Sequence, residues 1–295
     1  MKIIKIHGGL GNQMFQYAFA KSCSLNSGED VFIDISSYKT GKSPMGKIDT
    51  FHNGYELESL FHIDLPVANE RLVRRFGTIP DSFLHKVRRK FFPKKSHFIE
   101  RGLKGVDLSL LNSGSDMYLE GYWQSEDYFS SCVDAVMDSF RFKPPVSERN
   151  LSLLNSGRNY VSIHVRRGDY LHQDGFFVCT DAYYKEAVSY MNERLSNNPC
   201  YLVFSDDIPW CKAMFSGILT DNNVKFIDWN LGNDSWQDMF LMTQCSGNII
   251  ANSTFSWWGA WLNGNNSKLV VAPKVWCNVP SYNVSRLVPD SWIRL

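Results

Sequence analysis

The sequence predicts an α/β protein of two Rossmann-like domains, and three observations carry that prediction. The chain opens with an alternating segment, a glycine turn, a helical stretch and a second short apolar segment, which together read as a β-loop-α-β unit. Its C-terminal half alternates short apolar segments with helical patterns, which implies a parallel sheet. At 295 residues the chain exceeds one typical α/β domain. Lys143-Pro144-Pro145 cannot continue the helical run that precedes it, so the boundary is placed there, giving domains 1–143 and 144–295.

In order along the first domain, Lys2 to His7 alternates as a short strand, Gly8-Gly9-Leu10-Gly11 forms the turn, Gln13 to Leu25 carries apolar residues at helical spacing, and Val31 to Asp34 is a second strand. From Val67 to about Lys104 the pattern is helical and basic, with eleven Lys or Arg between Arg71 and Lys104 against Asp81 and Glu100 alone. Such a stretch serves either as a solvated helical face or as a surface that docks on anionic lipid, where each basic residue adds roughly 1 kcal/mol. Glu126 to Phe140 is helical. In the second domain, strands are expected at Tyr160–Val165, Tyr201–Phe204, Lys225–Ile227, Asn248–Ala251 and Lys268–Val271, with helices between most of them. No repeat of fixed period and no low-complexity segment occurs.

Composition narrows the function classes. Hydrophobic residues at 44% and charged residues at 21% exclude a disordered, collagen-like or coiled-coil chain. A formal charge of +1 gives no reason to expect a nucleic-acid partner. The aromatic share of 14%, with nine Trp, suits sugar rings and interfaces as well as a core. The seven cysteines are scattered, never closer than eleven positions, and form no CxxC pair, which argues against zinc ribbons and thioredoxin-like chemistry. Free thiols in a reducing compartment follow, so a cytoplasmic protein is expected and the sequons at Asn252, Asn265 and Asn283 carry no weight. The opening Met1 to Ile6 is too short and too charged for a signal peptide, and no eighteen-residue apolar run occurs.

In open α/β sheets ligands sit beyond the carboxyl ends of the strands, which directs attention to the segments that follow them. His164-Val165-Arg166-Arg167-Gly168-Asp169 ends one predicted strand, Ser205-Asp206-Asp207 the next, and Asn252-Ser253-Thr254-Phe255-Ser256 the fourth. Paired guanidiniums match phosphate oxygens and stay charged, so Arg166 and Arg167 can neutralise a diphosphate without a metal; alternatively they pair with Asp169 or Asp174. The 252–256 loop opens a helix whose free N–H groups favour phosphate, or it is an ordinary cap at Ser253 or Thr254. Of Asp206 and Asp207, one can accept the N1–H and N2–H of a guanine while the other caps the helix near Pro209. No Asp-x-Asp occurs, and no metal site is expected.

Gly9-Leu10-Gly11 with Asp34 at the end of the next strand also suggests a nicotinamide-dependent oxidoreductase, but Met14 stands where the fingerprint needs a third glycine. The same loop, with Asn12 and Gln13, can line a cleft. Trp257, Trp258 and Trp261 at helical spacing anchor a helix or, in a third reading, belong to a non-catalytic sugar-binding protein.

Gly8-Gly9-Leu10-Gly11-Asn12-Gln13-Met14-Phe15-Gln16-Tyr17, the His164 to Asp169 segment, Phe204-Ser205-Asp206-Asp207 and Asn252 to Gly259 resemble the ordered motifs of the α-1,2-fucosyltransferases, glycosyltransferase family 11. Gly121-Tyr122-Trp123-Gln124-Ser125 looks like a further block of bacterial members. The resemblance implies a GT-B fold of two facing Rossmann-like domains with the active site in the cleft, a C-terminal tail that packs back on the first domain, and metal-independent, inverting transfer of L-fucose from GDP-β-L-fucose to the 2-hydroxyl of a terminal galactose. No cofactor is implied. The acceptor would be a galactose-terminated oligosaccharide or lipid-linked glycan for O-antigen or capsule. The protein would work in the cytoplasm, with residues 71–104 docking it on the inner face of a bacterial inner membrane.

By the same resemblance Arg166 and Arg167 hold the pyrophosphate, and one of Asp206 and Asp207, with the backbone near His164, reads guanine. Asn252, Ser253, Thr254 and Ser256 complete the phosphate cradle. Gly11 and Asn12 meet the donor from the first domain, and Gln13, Trp123 and Gln124 lie on the acceptor side. The acceptor proton requires Asp169 as base, unless Asp169 instead orients Arg166, or His7 substitutes, or a dissociative reaction needs no dedicated base.

Overall fold

The computed structural model describes residues 1–39, 53–75, 96–100, 105–172, 178–195, 199–279 and 282–295. The chain divides into two compact units, one of residues 1–141 with 281–287 and one of 142–280 with 288–295.

The first unit holds a four-stranded parallel sheet built from β1 (Lys2–Lys5), β2 (Val31–Asp34), β3 (His97–Ile99) and β4 (Met117–Glu120), in the order β2-β1-β4-β3. Helix α1 (Leu10–Ser27) crosses from β1 to β2. It starts at Leu10, ahead of the predicted Gln13, because the Gly9 carbonyl already accepts from the N–H groups of Asn12 and Gln13. It stops at Gly28, whose φ of +63° lets its N–H turn back to the Ser24 carbonyl, a conformation that glycine adopts at no steric cost. Of the basic helical stretch, the described residues include a helix, α2 (Glu70–Arg75), and then strand β3. Arg88, Arg89, Lys94 and Lys95 lie outside the described residues. The run expected to be helical from Glu126 opens as a 3-10 segment, Glu126–Cys132, broken at Phe129 by a φ of −131°, and becomes α-helical only in α3 (Val133–Ser139).

The second unit contains α4 (Glu148–Leu154), β5 (Tyr160–Val165), α5 (Asp181–Arg194), β6 (Cys200–Ser205), α6 (Ile208–Phe215), β7 (Val224–Ile227), α7 (Trp236–Thr243), β8 (Gly247–Ile249), α8 (Thr254–Trp261), β9 (Leu269–Ala272) and β10 (Ile293–Arg294). All six strands are parallel, in the order β10-β9-β8-β5-β6-β7. β5 is buried throughout and β6 is buried up to Phe204, which is why they read as continuous apolar runs rather than alternating ones. Tyr184, Ala187, Val188 and Met191, three and four apart on α5, pack on Val161, Ile163 and Val203, while Leu202 and Phe204 meet Leu241 and Met242.

The strand orders locate two switch points. From β5 the chain winds outward through β6 and β7, then returns to lay β8 on the other side of β5. From β1 it goes first to β2 and later to β4 on the opposite side. Loops leaving the carboxyl ends of such strand pairs diverge and open a crevice, so the loops after β5 and β8, and after β1 and β4, are the positions where each sheet can receive a ligand.

Candidate functional site

In the second unit the loop after β5 carries Arg166, Arg167 and Asp169, and the loop after β6 carries Asp206 and Asp207. Register places Val165 opposite Ser205, so the two loops leave the sheet side by side. Arg166 reaches Asp169 at 2.6 Å and Asp206 at 3.0 Å, and its guanidinium lies over the Tyr170 ring at 5.5 Å. Arg167 meets Asp207 through Nε at 3.1 Å and lies over the Trp210 ring at 4.1 Å. Both arginines therefore stand in fixed orientations. Gly168 makes the close approach possible, since a Cβ there would come within 2.7 Å of Asp206 Oδ2.

The two aspartates divide the work left open by their sequence. Asp207 is the cap of α6: its Oδ1 accepts from the Trp210 N–H at 3.1 Å, with Pro209 in the first turn. Asp206 accepts from the Arg167 backbone N–H at 2.9 Å and pairs with Arg166. Asp206 is thus the candidate for reading a guanine edge through its remaining lone pairs. Two guanidiniums face three carboxylates in this cluster, so a diphosphate placed here would depend also on the N–H groups at the start of α8.

Ser253 is the N-cap residue of α8, with no side-chain cap hydrogen bond, and Thr254 is its half-buried first residue. Two other members of that predicted cradle are turned inward. The Ser256 hydroxyl shares a 2.9 Å hydrogen bond with His164 Nδ1 and donates to the Ser253 carbonyl, and it is buried. The Asn252 side chain donates to the Trp276 carbonyl at 2.8 Å and accepts from the Cys179 thiol. Their side chains fix the loop, and only its backbone and the residues at the head of α8 offer donors to an anion. His164 is likewise interior: burial pulls its pKa down to about 4, against the opposing pull of the Asp206 carboxylate, so it is a neutral imidazole at neutral pH. Its carbonyl accepts from the Tyr184 hydroxyl at 3.1 Å. Trp257 and Trp258 are fully buried, which makes them the anchor of α8 and not a sugar platform.

At the switch point of the first unit, Gln124, after β4, donates to Asn12 Oδ1 at 2.9 Å. Asn12 is half-buried, and neighbouring Gly11 lies in the buried first turn of α1. Gln13 corrects its predicted acceptor role. It is fully buried, donating to the Gly8 and Gly54 carbonyls at 3.0 and 2.7 Å and accepting from the Glu56 N–H at 3.0 Å, so it has no amide group left for a substrate. Gln16 ties the two loops together, accepting from the His7 N–H and donating to the Gly121 carbonyl. Gly8 has a φ of +81°, and a Cβ there would touch Asn12 Nδ2 at 3.0 Å. Trp123 is buried as well, stacked on Phe19 at 4.3 Å. His7 is buried against Tyr122, and burial first, then the Lys5 charge, lowers its pKa to about 4.

Asp34, which would hold a ribose in a nicotinamide enzyme, is buried; its Oδ2 accepts from the Tyr118 hydroxyl at 2.6 Å and its Oδ1 from the Ser36 N–H. Among the described residues no three His, Cys, Asp or Glu side chains converge as a metal site. The cysteines are all free, and no helix among the described residues is long and apolar enough to cross a membrane. Gly168, Tyr170, Trp210 and Gln16 are the supporting residues that sequence reasoning did not single out. The signal for Gly168 was its place between the second arginine and Asp169; the ring contacts of Tyr170 and Trp210 leave no mark on spacing.

A parallel α/β unit with arginines and a helix start at its switch point is the architecture of an enzyme that handles a nucleotide-activated group. The chain matches the family model described as Glycosyl transferase family 11 over residues 1–293 and belongs to that family. It is 32% identical over 299 residues to an alpha-1,2-colitosyltransferase of Escherichia coli, covering 99% of this chain and 98% of that protein. It is 25% identical over 279 residues to the galactoside alpha-(1,2)-fucosyltransferase 2 of Hylobates lar, covering 90% and 70% of the two chains. Its fold is similar to the crystal structure of NodZ alpha-1,6-fucosyltransferase soaked with GDP-fucose, with a TM-score of 0.52 at 15% identity over 88% of this chain and 91% of that one.

Proposed function

We propose that this glycosyltransferase moves L-fucose from GDP-β-L-fucose, with inversion and without a metal, to the 2-hydroxyl of a terminal galactose in a bacterial surface glycan such as an O-antigen or capsule unit. The observation that carries the reading is Arg166, held between Asp169 and Asp206 at the carboxyl end of β5 and beside the strand that leads into α8. The guanidinium donors that these two carboxylates leave over, held in a fixed plane, suit a departing diphosphate, and preorganised charge at that point is what an oxocarbenium-like transition state requires. Asp169 orients Arg166 in this reading, and the acceptor proton leaves late in a loose transition state. Asp206 reads guanine, the head of α8 takes the β-phosphate, and the GT-B arrangement implied by the motifs lets Asn12 meet the fucose. Docking on the inner face of the membrane through residues 71–104 belongs to the same reading, and charge reversal at Arg88, Arg89, Lys94 and Lys95 should release the protein from anionic vesicles.

The test is GDP release from GDP-fucose with a panel of β-galactosides and EDTA present, for the wild type and Arg166→Ala. Galactoside-dependent, EDTA-resistant release that falls by about 10²-fold in the variant supports the reading; no release with any galactoside sinks it. The identity to a colitosyltransferase favours a second reading, in which the transferred sugar is colitose, which lacks the 3-hydroxyl of fucose. A higher kcat/KM with GDP-colitose than with GDP-fucose would select it.

A further inference from the structure

The bond between Gln124 and Asn12 joins residues 112 positions apart in the chain, and it decides how Asn12 is presented. Gln124 Nε2 donates to Asn12 Oδ1 at 2.9 Å, and both side chains are half-buried. An amide carries its acceptor at one end and its donors at the other, so a bond that takes the oxygen also settles where the nitrogen lies. Asn12 Nδ2 lies against Gly8, where a Cβ would come within 3.0 Å of it. The Gly8 carbonyl already accepts from Gln13 Nε2 at 3.0 Å and from the Tyr38 hydroxyl at 2.7 Å, so the loop beside the Asn12 amide is itself held in place.

The segment that carries Gln124 is built to aim it. Trp123 has a φ of +53°, a left-handed conformation that a bulky residue rarely adopts. Its ring is stacked on Phe19 at 4.3 Å and on Phe98 at 6.0 Å, with Tyr128 edge-on at 5.8 Å, which anchors the side chain while the backbone turns. The Ser125 N–H donates to the Trp123 carbonyl at 2.9 Å and closes a tight turn with Gln124 at its apex. On one side of that turn Glu100 Oε2 accepts from the N–H groups of Tyr122 at 2.7 Å and Trp123 at 3.2 Å, and Gln16 donates to the Gly121 carbonyl at 3.1 Å. On the other the Ser125 hydroxyl donates to the Arg286 carbonyl at 2.7 Å, and the Arg286 guanidinium binds Asp127 through two bonds of 2.7 and 2.8 Å. Gly121, Tyr122, Trp123 and Ser125 are thus each tied within the first unit, and Gln124 directs its amide to Asn12. A strained backbone persists where its surroundings over-determine it, and such positions gather at functional sites.

Resting on the reading in which Asn12 meets the donor sugar, we infer that Gln124 is a positioning residue of the transfer reaction: it takes up the Asn12 oxygen, so that Asn12 turns its NH2 group to the nucleotide sugar as a hydrogen-bond donor. A donor held in this way serves an oxygen of the sugar or of the departing diphosphate as charge develops there, and its fixed orientation removes the cost of turning at the moment of reaction. Direct contact of Gln124 with the acceptor, the role that the family motifs imply, is the other outcome of the test.

The experiment is a double-mutant cycle in kcat on the wild type, Gln124→Glu, Asn12→Ala and the double variant, with KM measured for the nucleotide sugar and the galactoside that turn over. Glu keeps the shape of Gln, but its carboxylate only accepts, so it draws the Asn12 nitrogen and turns that amide end for end. Melting temperatures check that each variant folds. Gln124→Glu should lower kcat by about tenfold, leave the acceptor KM within about twofold, and add nothing further once Asn12 is Ala. A raised acceptor KM with unchanged kcat, or two effects that multiply in the double variant, overturns the positioning role while leaving the fucosyltransferase reading intact. If no nucleotide sugar turns over, that reading fails, and NMR of the Asn12 side-chain amide during titration with GDP-fucose decides the role alone. Amide protons that shift in the wild type and not in Gln124→Glu support it, and no shift in the wild type, or the same shift in both proteins, overturns it.

Discussion

Asp207 binds Arg167 with one carboxylate oxygen and the first turn of α6 with the other, each at 3.1 Å. One residue thus sets both the position of the helix and the plane of the guanidinium. Asn at this position keeps the capping oxygen and loses the charge, whereas Ala loses both. Asp207→Ala should lower stability by about 1 kcal/mol, the usual worth of a cap, and Asp207→Asn by less, because the half-exposed ion pair contributes little to folding. Both should raise the donor KM. Thermal unfolding beside donor kinetics separates the two roles, and equal melting temperatures for Ala and Asn would remove the cap from the account.

Gly168→Ala places a methyl group 2.7 Å from Asp206 Oδ2 in the present geometry. The Asp206 side chain can swing away, but only by leaving Arg166 and the Arg167 N–H. GDP affinity should therefore fall by about tenfold, the order of a modest overpacking cost, while the melting temperature changes little. Titration of GDP measures it, and wild-type affinity in the variant would show that Asp206 is not a positioned group.

The parallel sheet of the second unit, the positions of most of its strands and its three polar loops were legible in the sequence because strand and helix periods differ and because chains punctuate loops with Gly, Asp and Ser, whereas the strand orders were not. Roles within a loop were less so. Asn252, Ser253, Thr254 and Ser256 look alike as phosphate donors, yet Asn252 and Ser256 turn inward to Trp276 and His164, partners that lie 24 and 92 positions away. Asp169, three residues after Arg166, could be read as a base or as a partner of that guanidinium, and it lies 2.6 Å from it.

Gln13 gives the sharpest test of that distinction. Truncation to Ala takes the buried amide away from the Gly54 carbonyl and the Glu56 N–H, which should cost roughly 1–3 kcal/mol for each group that water cannot reach, while the Gly8 carbonyl keeps the Tyr38 hydroxyl. Asn12→Ala removes one half-buried bond to Gln124 and should cost little stability while lowering kcat. Unfolding and turnover of the two variants should therefore rank in opposite orders. A stable Gln13→Ala with a raised acceptor KM would restore the substrate role.

Asp238 makes the stability of the second unit depend on pH in a direction opposite to that of the buried histidines. Burial raises its pKa to about 7, with the Asn230 amide donating at 2.8 Å in partial compensation. Between an unfolded value near 4 and 7 the folded state holds a proton that the unfolded state has lost, so the contribution is complete below the unfolded value and disappears as pH rises through 7. His7 and His164, lowered to about 4, have the reverse sign: the unfolded state binds the extra protons between about 6.5 and 4, and stability falls as pH drops through that window. Asp238→Asn keeps the shape and the hydrogen bond but cannot ionise. It should match the wild type near pH 4 and exceed it at pH 9 by roughly 4 kcal/mol if the full shift is expressed. Urea unfolding at pH 4, 7 and 9 measures the difference, and parallel profiles for the two proteins would mean that Asp238 titrates as an ordinary carboxylate.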